Sequence, residues 1–250
     1  MRFSKWHALG NAYLVVEEPV DAVRARALCD RDRGLGTDGV LVVRPDGDGS
    51  AALTIWNPDG STAELSGNGA RIAARWLALR DGRGDVRLHV GDREVRARVD
   101  GEDVRLEVGA VSVYETETLD VGEGHVELTP VRVANPHAVV RTEPDRETLL
   151  RLGPALERHE RFPDRTNVQL VRAVDAHELT VAVWERGAGE TASSGTSAVA
   201  AAAAAIANGW AASPVTVHLP GGDLWVELDE ENRATLTGPA VEIARGDVLL

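Results

Sequence analysis

This chain of 250 residues has very little lysine and cysteine. Lys5 is its single lysine, so an enzyme that binds pyridoxal phosphate through a lysine Schiff base is not expected. Cys29 is its single cysteine, which excludes an intramolecular disulfide and a thiolate metal cluster. The histidines show no metal-ligand spacing either. The sequence therefore predicts a protein without a metal or other cofactor.

Positive charge and long apolar segments are also scarce. The chain has 27 basic and 40 acidic residues, and its formal net charge is -13. Nucleic-acid binding depends on basic patches that neutralise phosphates, so it is not expected here. The longest purely apolar run, 198–207, is too short to cross a bilayer, and residues 1–11 lack the apolar stretch of a secretory signal. We therefore expect a soluble, cytoplasmic protein whose partner is a small molecule and not a nucleic acid or a membrane.

One motif is present twice. SGNGAR begins at Ser66, and SSGTSA contains the equivalent Ser194, 128 residues later (194 minus 66). Each copy follows a short apolar stretch that ends in Trp and a polar residue, Trp56-Asn57 and Trp184-Glu185. This period is far longer than the 20 to 50 residues or so of a solenoid repeat. The duplication therefore indicates two homologous halves, each a small domain.

Periodicity and turn residues give a coarse secondary structure with the same order of elements in both halves. The predicted helices are 21–32, 69–81, 146–159 and 196–208. The predicted strands are 9–16, 39–44, 51–56, 86–90, 93–99 and 104–108 in the first half, and 131–141, 167–173, 178–184, 215–218, 223–228 and 234–238 in the second.

Each Ser-Gly pair opens an alanine-rich run that favours a helix. Backbone N–H groups at a helix N-terminus bind anions, and glycine lets a ligand approach them closely. The simpler alternative is that Ser66 and Ser194 serve only as N-caps. The stretch 198–206 is apolar on every face, which is typical of a helix enclosed by other elements. We expect each half to be a curved sheet wrapped around such a helix.

Six segments, in order and spacing, resemble the diaminopimelate epimerase family over essentially the whole chain. They are FSKWHALGNAYLVVE, GLGTDGVLVV, NPDGSTAELSGNGAR, ANPHAVV, RTNVQLV and ERGAGETASSGTSA. The resemblance implies an α/β (α+β) fold of two pseudo-symmetric domains, each a barrel-like, mostly antiparallel sheet around a central helix, with the active site in the cleft between them. The expected domains are 1–112, joined by a returning segment 239–250, and 113–238.

The resemblance also implies roles for individual residues. Two groups, one at each Ser-Gly helix start, exchange protons with opposite faces of the substrate α-carbon, and the reaction needs no cofactor. The implied catalytic residues are Ser66, Ser194, His137 and Glu185. The implied substrate-binding residues are Asn11, Asn57, Gly67, Asn68, Asn135, Asn167, Glu185, Arg186, Gly195 and Thr196. Apart from the resemblance, His137 reads as a hydrogen-bonded turn histidine and Glu185-Arg186 as a surface ion pair.

The chain departs from the family at the reacting groups, because both positions that carry cysteine in the family are serine here. A cysteine thiol has a pKa of about 8.5 and a serine hydroxyl lies roughly 5 units higher, so the serine base is about 7 kcal/mol harder to form. Ser193 and Ser197 stand where the family usually has Ala and Gly, and Ile72 where Cys is common. This drift around the motifs favours a natural variant over a laboratory substitution of the two cysteines.

Three functions remain open from the sequence. The first is a cofactor-independent epimerase that converts LL- to meso-diaminopimelate in lysine biosynthesis. It is expected to form a homodimer. The second is a related isomerase or hydro-lyase with His137 or Glu185 as its single base, since elimination needs only one strong base and an acid. The third is a catalytically silent protein that binds an amino acid.

Overall fold

The computed structural model describes residues 1–122 and 124–249, and its elements follow the same order in the two halves of the chain. In the first half they are β1 (Arg2–Ala8), β2 (Asn11–Val16), α1 (Ala22–Cys29), β3 (Val40–Gly47), β4 (Ser50–Trp56), β5 (Thr62–Ala63), α2 (Gly67–Asp81), β6 (Asp85–Val90), β7 (Arg93–Asp100) and β8 (Asp103–Ala110). In the second half they are β9 (Ser112–Val113), β10 (Glu117–Asp120), β11 (His125–Val133), β12 (Asn135–Arg141), α3 (Arg146–Glu157), β13 (Asn167–Ala173), β14 (Glu178–Glu185), β15 (Gly189–Thr191), α4 (Gly195–Ala207), β16 (Val215–Leu219), β17 (Gly222–Leu228), β18 (Arg233–Pro239) and β19 (Val241–Asp247).

The chain forms two units, Met1–Glu107 with Thr237–Leu250, and Val108–Leu236. The sequence predicts domain limits after residues 112 and 238. In the structure the units change after Glu107 and after Leu236. In unit 1, the strand order is β19-β1-β2-β3-β4-β6-β7-β8, and all neighbours are antiparallel except β2 with β3 and β4 with β6. This sheet encloses α2, which contacts six of its strands.

Unit 2 repeats this pairing order. Strand β12 lies parallel to β13, β13 antiparallel to β14, β14 parallel to β16, and β16 antiparallel to β17. The helix at the centre is α4, which contacts β11, β12, β13, β14, β16 and β17. The predicted fold class, a mostly antiparallel sheet around a central helix in each unit, is confirmed.

Helix α4 shows why such a helix must consist of small residues. Each residue from Ala198 to Ala205 is at most 1% exposed, although the residues point in all directions around the helix axis. All of these residues are alanine except Val199, so the surrounding strands pack almost entirely against methyl groups. Within the described part of the chain, no helix is long and apolar enough to cross a membrane.

The sequence prediction of one strand over 131–141 is wrong. The chain reverses at Ala134, whose φ of 61° lies in the left-handed region, and Val133 pairs with Asn135 across the turn. Strands β11 and β12 are therefore antiparallel neighbours. Alanine seldom adopts this conformation, so residue type did not indicate the turn.

Strands β1 and β10 were not predicted. In β1, the side chains of Ser4, Trp6 and Ala8 are buried and those between them are more exposed. The period of two is present there, but a serine occupies one of its inward positions and weakens the signal. Strand β10 is short, and its side chains are half-buried or exposed.

Candidate functional site

Ser66 lies at the N-cap of α2, as the simpler interpretation of the motif predicts. Its Oγ accepts a hydrogen bond from the backbone N–H of Gly69 at 3.0 Å. The hydroxyl of Tyr13, on β2, lies 3.2 Å from the same oxygen. The N–H of Gly67, the first helical residue, has no acceptor within the helix. A half-buried hydroxyl thus stands beside a helix N-terminus with a phenol as its neighbour.

A directional chain of hydrogen bonds holds the predicted residues Asn11 and Asn68. Arg71 donates to Asn68 Oδ1 at 2.8 Å, Asn68 Nδ2 donates to Asn11 Oδ1 at 3.1 Å, and Asn11 Nδ2 donates to Asp38 Oδ2 at 3.1 Å. Arg71 is fully buried, and burial lowers its pKa to about 10. Because a guanidinium only donates and a carboxylate only accepts, the two ends of the chain fix the orientation of both amides.

Asn57 stays within its own turn. Its Nδ2 donates to Ser61 Oγ at 2.9 Å, and its backbone N–H donates to the Ser61 carbonyl at 2.8 Å. Among the residues that the structure describes, Asn57 has no hydrogen bond to Ser66, Asn11 or Asn68. Unit 1 therefore joins two of the predicted residues, Asn11 and Asn68, by a hydrogen bond and leaves Asn57 with a local partner.

Ser194 lies at the N-cap position of α4, but its side chain makes no capping hydrogen bond. The hydroxyl instead lies close to the carboxyl group of Glu185, at the end of β14, and interacts with it, as does the side chain of Thr191. Burial raises the pKa of Glu185, and these two interactions only partly oppose that effect. The serine hydroxyl is thus paired with a carboxylate of increased basicity.

His137 is fully buried at the start of β12, and both of its ring nitrogens are engaged. Its Nδ1 lies 3.0 Å from Gln169 Nε2, and its Nε2 lies 2.9 Å from Asn135 Oδ1. Burial lowers the pKa of His137 to about 3. The imidazole is therefore neutral near pH 7, and neither nitrogen offers an unshared lone pair to a substrate.

Asn167 and Glu157 hold the turn that follows Glu185. Asn167 Nδ2 donates to the Pro136 carbonyl at 3.1 Å, and its Oδ1 accepts from the backbone N–H of Arg186 at 2.9 Å. The carboxylate of Glu157, 3% exposed, accepts from Gly187 N–H at 2.9 Å. The guanidinium of Arg186 donates to a backbone carbonyl at 3.0 Å. Asn167 thus positions this turn by contacts to backbone.

Several residues that organise these networks were not predicted from the sequence. They are Tyr13, Asp38, Arg71, Glu157, Gln169 and Thr191. Two of them could have been recognised in the sequence. Arg71 is the last residue of the SGNGAR motif, and Gln169 is a polar residue within the apolar run of β13. A polar residue inside a buried strand requires a hydrogen-bond partner, which is a reason to expect a network there.

Cys29 and Lys5 lie in other surroundings. The Cys29 thiol is buried at the end of α1, accepts from Thr37 Oγ1 at 3.7 Å, and has a pKa raised by burial. The Lys5 ammonium donates to the carbonyls of Leu35 and Gly36 at 2.9 and 3.2 Å. Over residues 1–122 and 124–249, no group of three His, Cys, Asp or Glu side chains is arranged to hold a metal ion.

Comparison with known proteins places this chain in a family. The sequence profile described as diaminopimelate epimerase matches residues 3–114 and 129–243. This chain belongs to the diaminopimelate epimerase family. A relative named diaminopimelate epimerase from Desulfitobacterium hafniense is 38% identical over 100% of this chain and 98% of its own length. A second, from Stutzerimonas stutzeri, is 38% identical over 100% of this chain and 99% of its own.

Solved structures support the fold of this family member. A predicted epimerase from Pseudomonas aeruginosa superposes with a TM-score of 0.77 at 18% identity, covering 100% of this chain and 99% of that chain. A probable proline racemase from Agrobacterium radiobacter gives a TM-score of 0.75 at 18% identity, with coverage of 100% and 93%. At such low identity, the likeness concerns the fold alone.

Proposed function

We propose that the protein is a cofactor-independent amino-acid epimerase that interconverts LL- and meso-diaminopimelate, with Ser66 and Ser194 as its proton-transferring groups. The observation that carries the proposal is the equivalent placement of the two hydroxyls. Each precedes the central helix of its unit, and each contacts a second ionisable side chain, Tyr13 or Glu185. Membership of the family supports the reaction type and the substrate.

Of the two serines, Ser194 is the stronger base, because it acts together with Glu185. As the Ser194 oxygen takes the α-proton of the substrate, its own proton passes to the Glu185 carboxylate, so that no free alkoxide has to form. A raised carboxyl pKa improves this transfer, because general base catalysis is more effective when the pKa lies nearer the working pH. The relay thus offsets part of the roughly 7 kcal/mol that separates a serine from a cysteine base.

Ser66 is suited to the opposite half of the reaction. Its oxygen accepts the Gly69 N–H, and when Tyr13 donates the hydrogen bond between the two hydroxyls, the hydrogen of Ser66 is left for donation to the substrate. Tyr13 is buried within hydrogen-bond distance and can replace the proton that Ser66 gives to the substrate carbanion. A phenol has a pKa near 10, well below that of a serine hydroxyl, which makes it a competent proton source.

Binding of the substrate is assigned to the helix N-termini and the amide side chains. The first N–H groups of α2 and α4, at Gly67-Asn68 and Gly195-Thr196, suit a carboxylate. Asn11, Asn57, Asn135 and Asn167, with Arg186, are proposed to bind the remaining amino and carboxylate groups. Arg186 is exposed, which leaves its guanidinium open to a ligand.

The test is incubation with LL-diaminopimelate in deuterium oxide. Two-base epimerisation incorporates solvent deuterium at the α-carbon of the inverted product. The Arg186→Ala variant should lose most of the ligand-induced rise in melting temperature, whereas Arg158→Ala, at another exposed arginine, should retain it. If millimolar diaminopimelate neither stabilises the parent protein nor exchanges its α-proton, the substrate assignment is wrong.

One alternative from the sequence is favoured in part by the structure. For an isomerase or hydro-lyase with a single base, Glu185 has the raised pKa that this role requires, whereas both nitrogens of His137 are occupied. Such a reaction yields a new or displaced double bond, which absorbance and NMR detect. The third candidate, a silent binding protein, is favoured by the serine hydroxyls, because they form a base less readily than thiols. Such a protein would be stabilised by diaminopimelate without exchanging its α-proton.

The cellular setting belongs to the same proposal. We place the protein in the cytoplasm, in lysine biosynthesis, as a homodimer without nucleic-acid or membrane partners. Sedimentation of the purified protein tests the homodimer, and restoration of growth without diaminopimelate in a strain that lacks the epimerase tests the pathway.

A further inference from the structure

Gln169 is a buried amide that contacts two side chains in unit 2. It lies in the middle of β13 and is 0% exposed. Its Nε2 lies 3.0 Å from His137 Nδ1 and 3.0 Å from Ser197 Oγ, in the first turn of α4. Its Oε1 is buried and has no hydrogen-bond partner among the described residues.

The direction of these hydrogen bonds follows from the chemistry of the amide. An amide nitrogen only donates, so His137 Nδ1 must accept, and the imidazole carries its hydrogen on Nε2. Turning the amide over would leave two buried N–H groups without acceptors in place of one oxygen. Unpaired buried N–H groups are rarer than under-satisfied carbonyl oxygens, which favours the orientation seen here.

The tautomer of His137 in turn sets the orientation of Asn135. With its hydrogen on Nε2, the imidazole donates to Asn135 Oδ1 at 2.9 Å. The oxygen of Asn135 is then occupied, and its Nδ2 makes no hydrogen bond within the described part of the chain. Asn135 is half-buried, so this NH₂ group remains accessible to a ligand.

We propose that Gln169 is a positioning residue that, through the tautomer of His137, makes Asn135 present hydrogen-bond donors to the ligand. The ligand group at Asn135 must then be an acceptor, such as a carboxylate. The opposite tautomer would turn the Asn135 amide and present its oxygen, which suits an amine. The identity of the ligand rests on the proposed function, but the tautomer does not.

The first measurement is the ¹⁵N NMR spectrum of the histidine side chains in the whole protein at pH 7, with His137 assigned by its loss in His137→Gln. In the parent protein we expect a protonated Nε2 and an unprotonated Nδ1. In Gln169→Met, which keeps an unbranched side chain of similar length but cannot donate, both tautomers should appear. Ser197→Ala is the matched control: it also removes a buried hydrogen bond of Gln169, yet should leave the tautomer unchanged.

The second measurement is the ratio of the dissociation constants of L-lysine and LL-diaminopimelate, which differ by one carboxylate. Gln169→Met should lower this ratio by about tenfold, the size of one charge-assisted hydrogen bond, and Ser197→Ala should not.

A protonated Nδ1 in the parent protein overturns the proposal without any variant. The proposal is also overturned if the Gln169→Met protein keeps the His137 tautomer of the parent and its ratio of dissociation constants. If the parent binds neither amino acid, the proposed function fails, while the NMR result still decides the role of Gln169.

Discussion

The Ser194 side chain interacts with the carboxyl group of Glu185, whereas the equivalent Ser66 accepts a hydrogen bond from its own helix. The Glu185 carboxylate only accepts hydrogen bonds, so it can act on the Ser194 hydroxyl as a proton acceptor. The two copies of one motif therefore hold their hydroxyls in different electrostatic surroundings. In the proposed reaction, Ser194 accepts the α-proton of the substrate and Ser66 donates a proton to it.

Restoring both thiols should raise α-proton exchange strongly. We expect Ser66→Cys with Ser194→Cys to exchange the diaminopimelate α-proton several decades faster, since a thiolate is about 7 kcal/mol easier to form than an alkoxide. Each single change should give much less inversion, because one face still lacks an effective proton donor or acceptor. Deuterium incorporation followed by NMR measures this. Equal rates in the parent and the double variant would contradict the assigned roles of the serines.

Glu185→Gln should lower exchange and raise stability. Burial raises the pKa of Glu185 in the folded state. A raised pKa contributes stability that is fully present below the unfolded pKa, near 4.5, and is lost as pH rises through the folded value. Above the folded pKa the ionised Glu185 therefore destabilises the fold, and there the neutral amide should unfold at higher urea concentration than the parent.

The gain from Glu185→Gln should vanish below about pH 4, where the parent carboxyl is protonated in both states. Glu190→Gln, at an exposed carboxylate of the neighbouring strand β15, is the control and should show neither effect. A Glu185→Gln protein that is less stable at pH 7, or fully active, would contradict this role.

Glu157→Gln should destabilise unit 2. Burial raises the pKa of Glu157, but hydrogen bonds from Trp184 and Gly187 outweigh it, and the pKa lies below its ordinary value. Hydrogen bonds to a charged group contribute about 1.5–3 kcal/mol, and the amide retains part of them, so we expect a loss of about 1–3 kcal/mol in the free energy of unfolding.

The depressed pKa of Glu157 fixes the pH dependence of that loss. Its contribution is present above the unfolded pKa, near 4.5, and is lost as pH falls through the folded value. Urea titrations at pH 7 and in increasing acid should therefore show the difference from the parent shrinking. Glu160→Gln, an exposed neighbour, serves as the control. A difference that is independent of pH would point to packing and not to the charge.

His218 should stabilise unit 2 only when protonated. The hydrogen bond to Asp223, at 2.8 Å, raises its pKa, and the carboxylate of Glu178 adds to this. The contribution is fully present below the unfolded pKa, near 6.5, and is lost as pH rises through the folded value. His218→Gln should thus lower the melting temperature at pH 5.5 and have no effect at pH 9. His125→Gln, at an exposed histidine, should have no effect at either pH.

Local sequence determined most of the fold and part of the site. The four helices lie where apolar spacing and N-caps placed them, and the two Ser-Gly pairs open the central helices. Local sequence could not show which side chains meet on neighbouring strands of the sheet. His137 meets Gln169 only because β12 runs parallel to β13 and pairs His137 with Asn167. Arg71 reads locally as a surface cation, but the curvature of the sheet buries it completely.

The pairing of β1 with β19 has a consequence for synthesis on the ribosome. Strand β1 pairs with β2 along one edge. Its other edge stays unpaired until residues 241–247 are translated. At 5–20 residues per second, the 134 residues from 107 to 241 take roughly 7 to 27 s to translate. Throughout that interval the nascent chain offers an unpaired strand edge, a template for pairing with neighbouring chains on a polysome. A ribosome that stalls before Val241 would leave this edge of β1 uncovered and the incomplete chain prone to aggregate, because β19 is translated long after the strand that it protects.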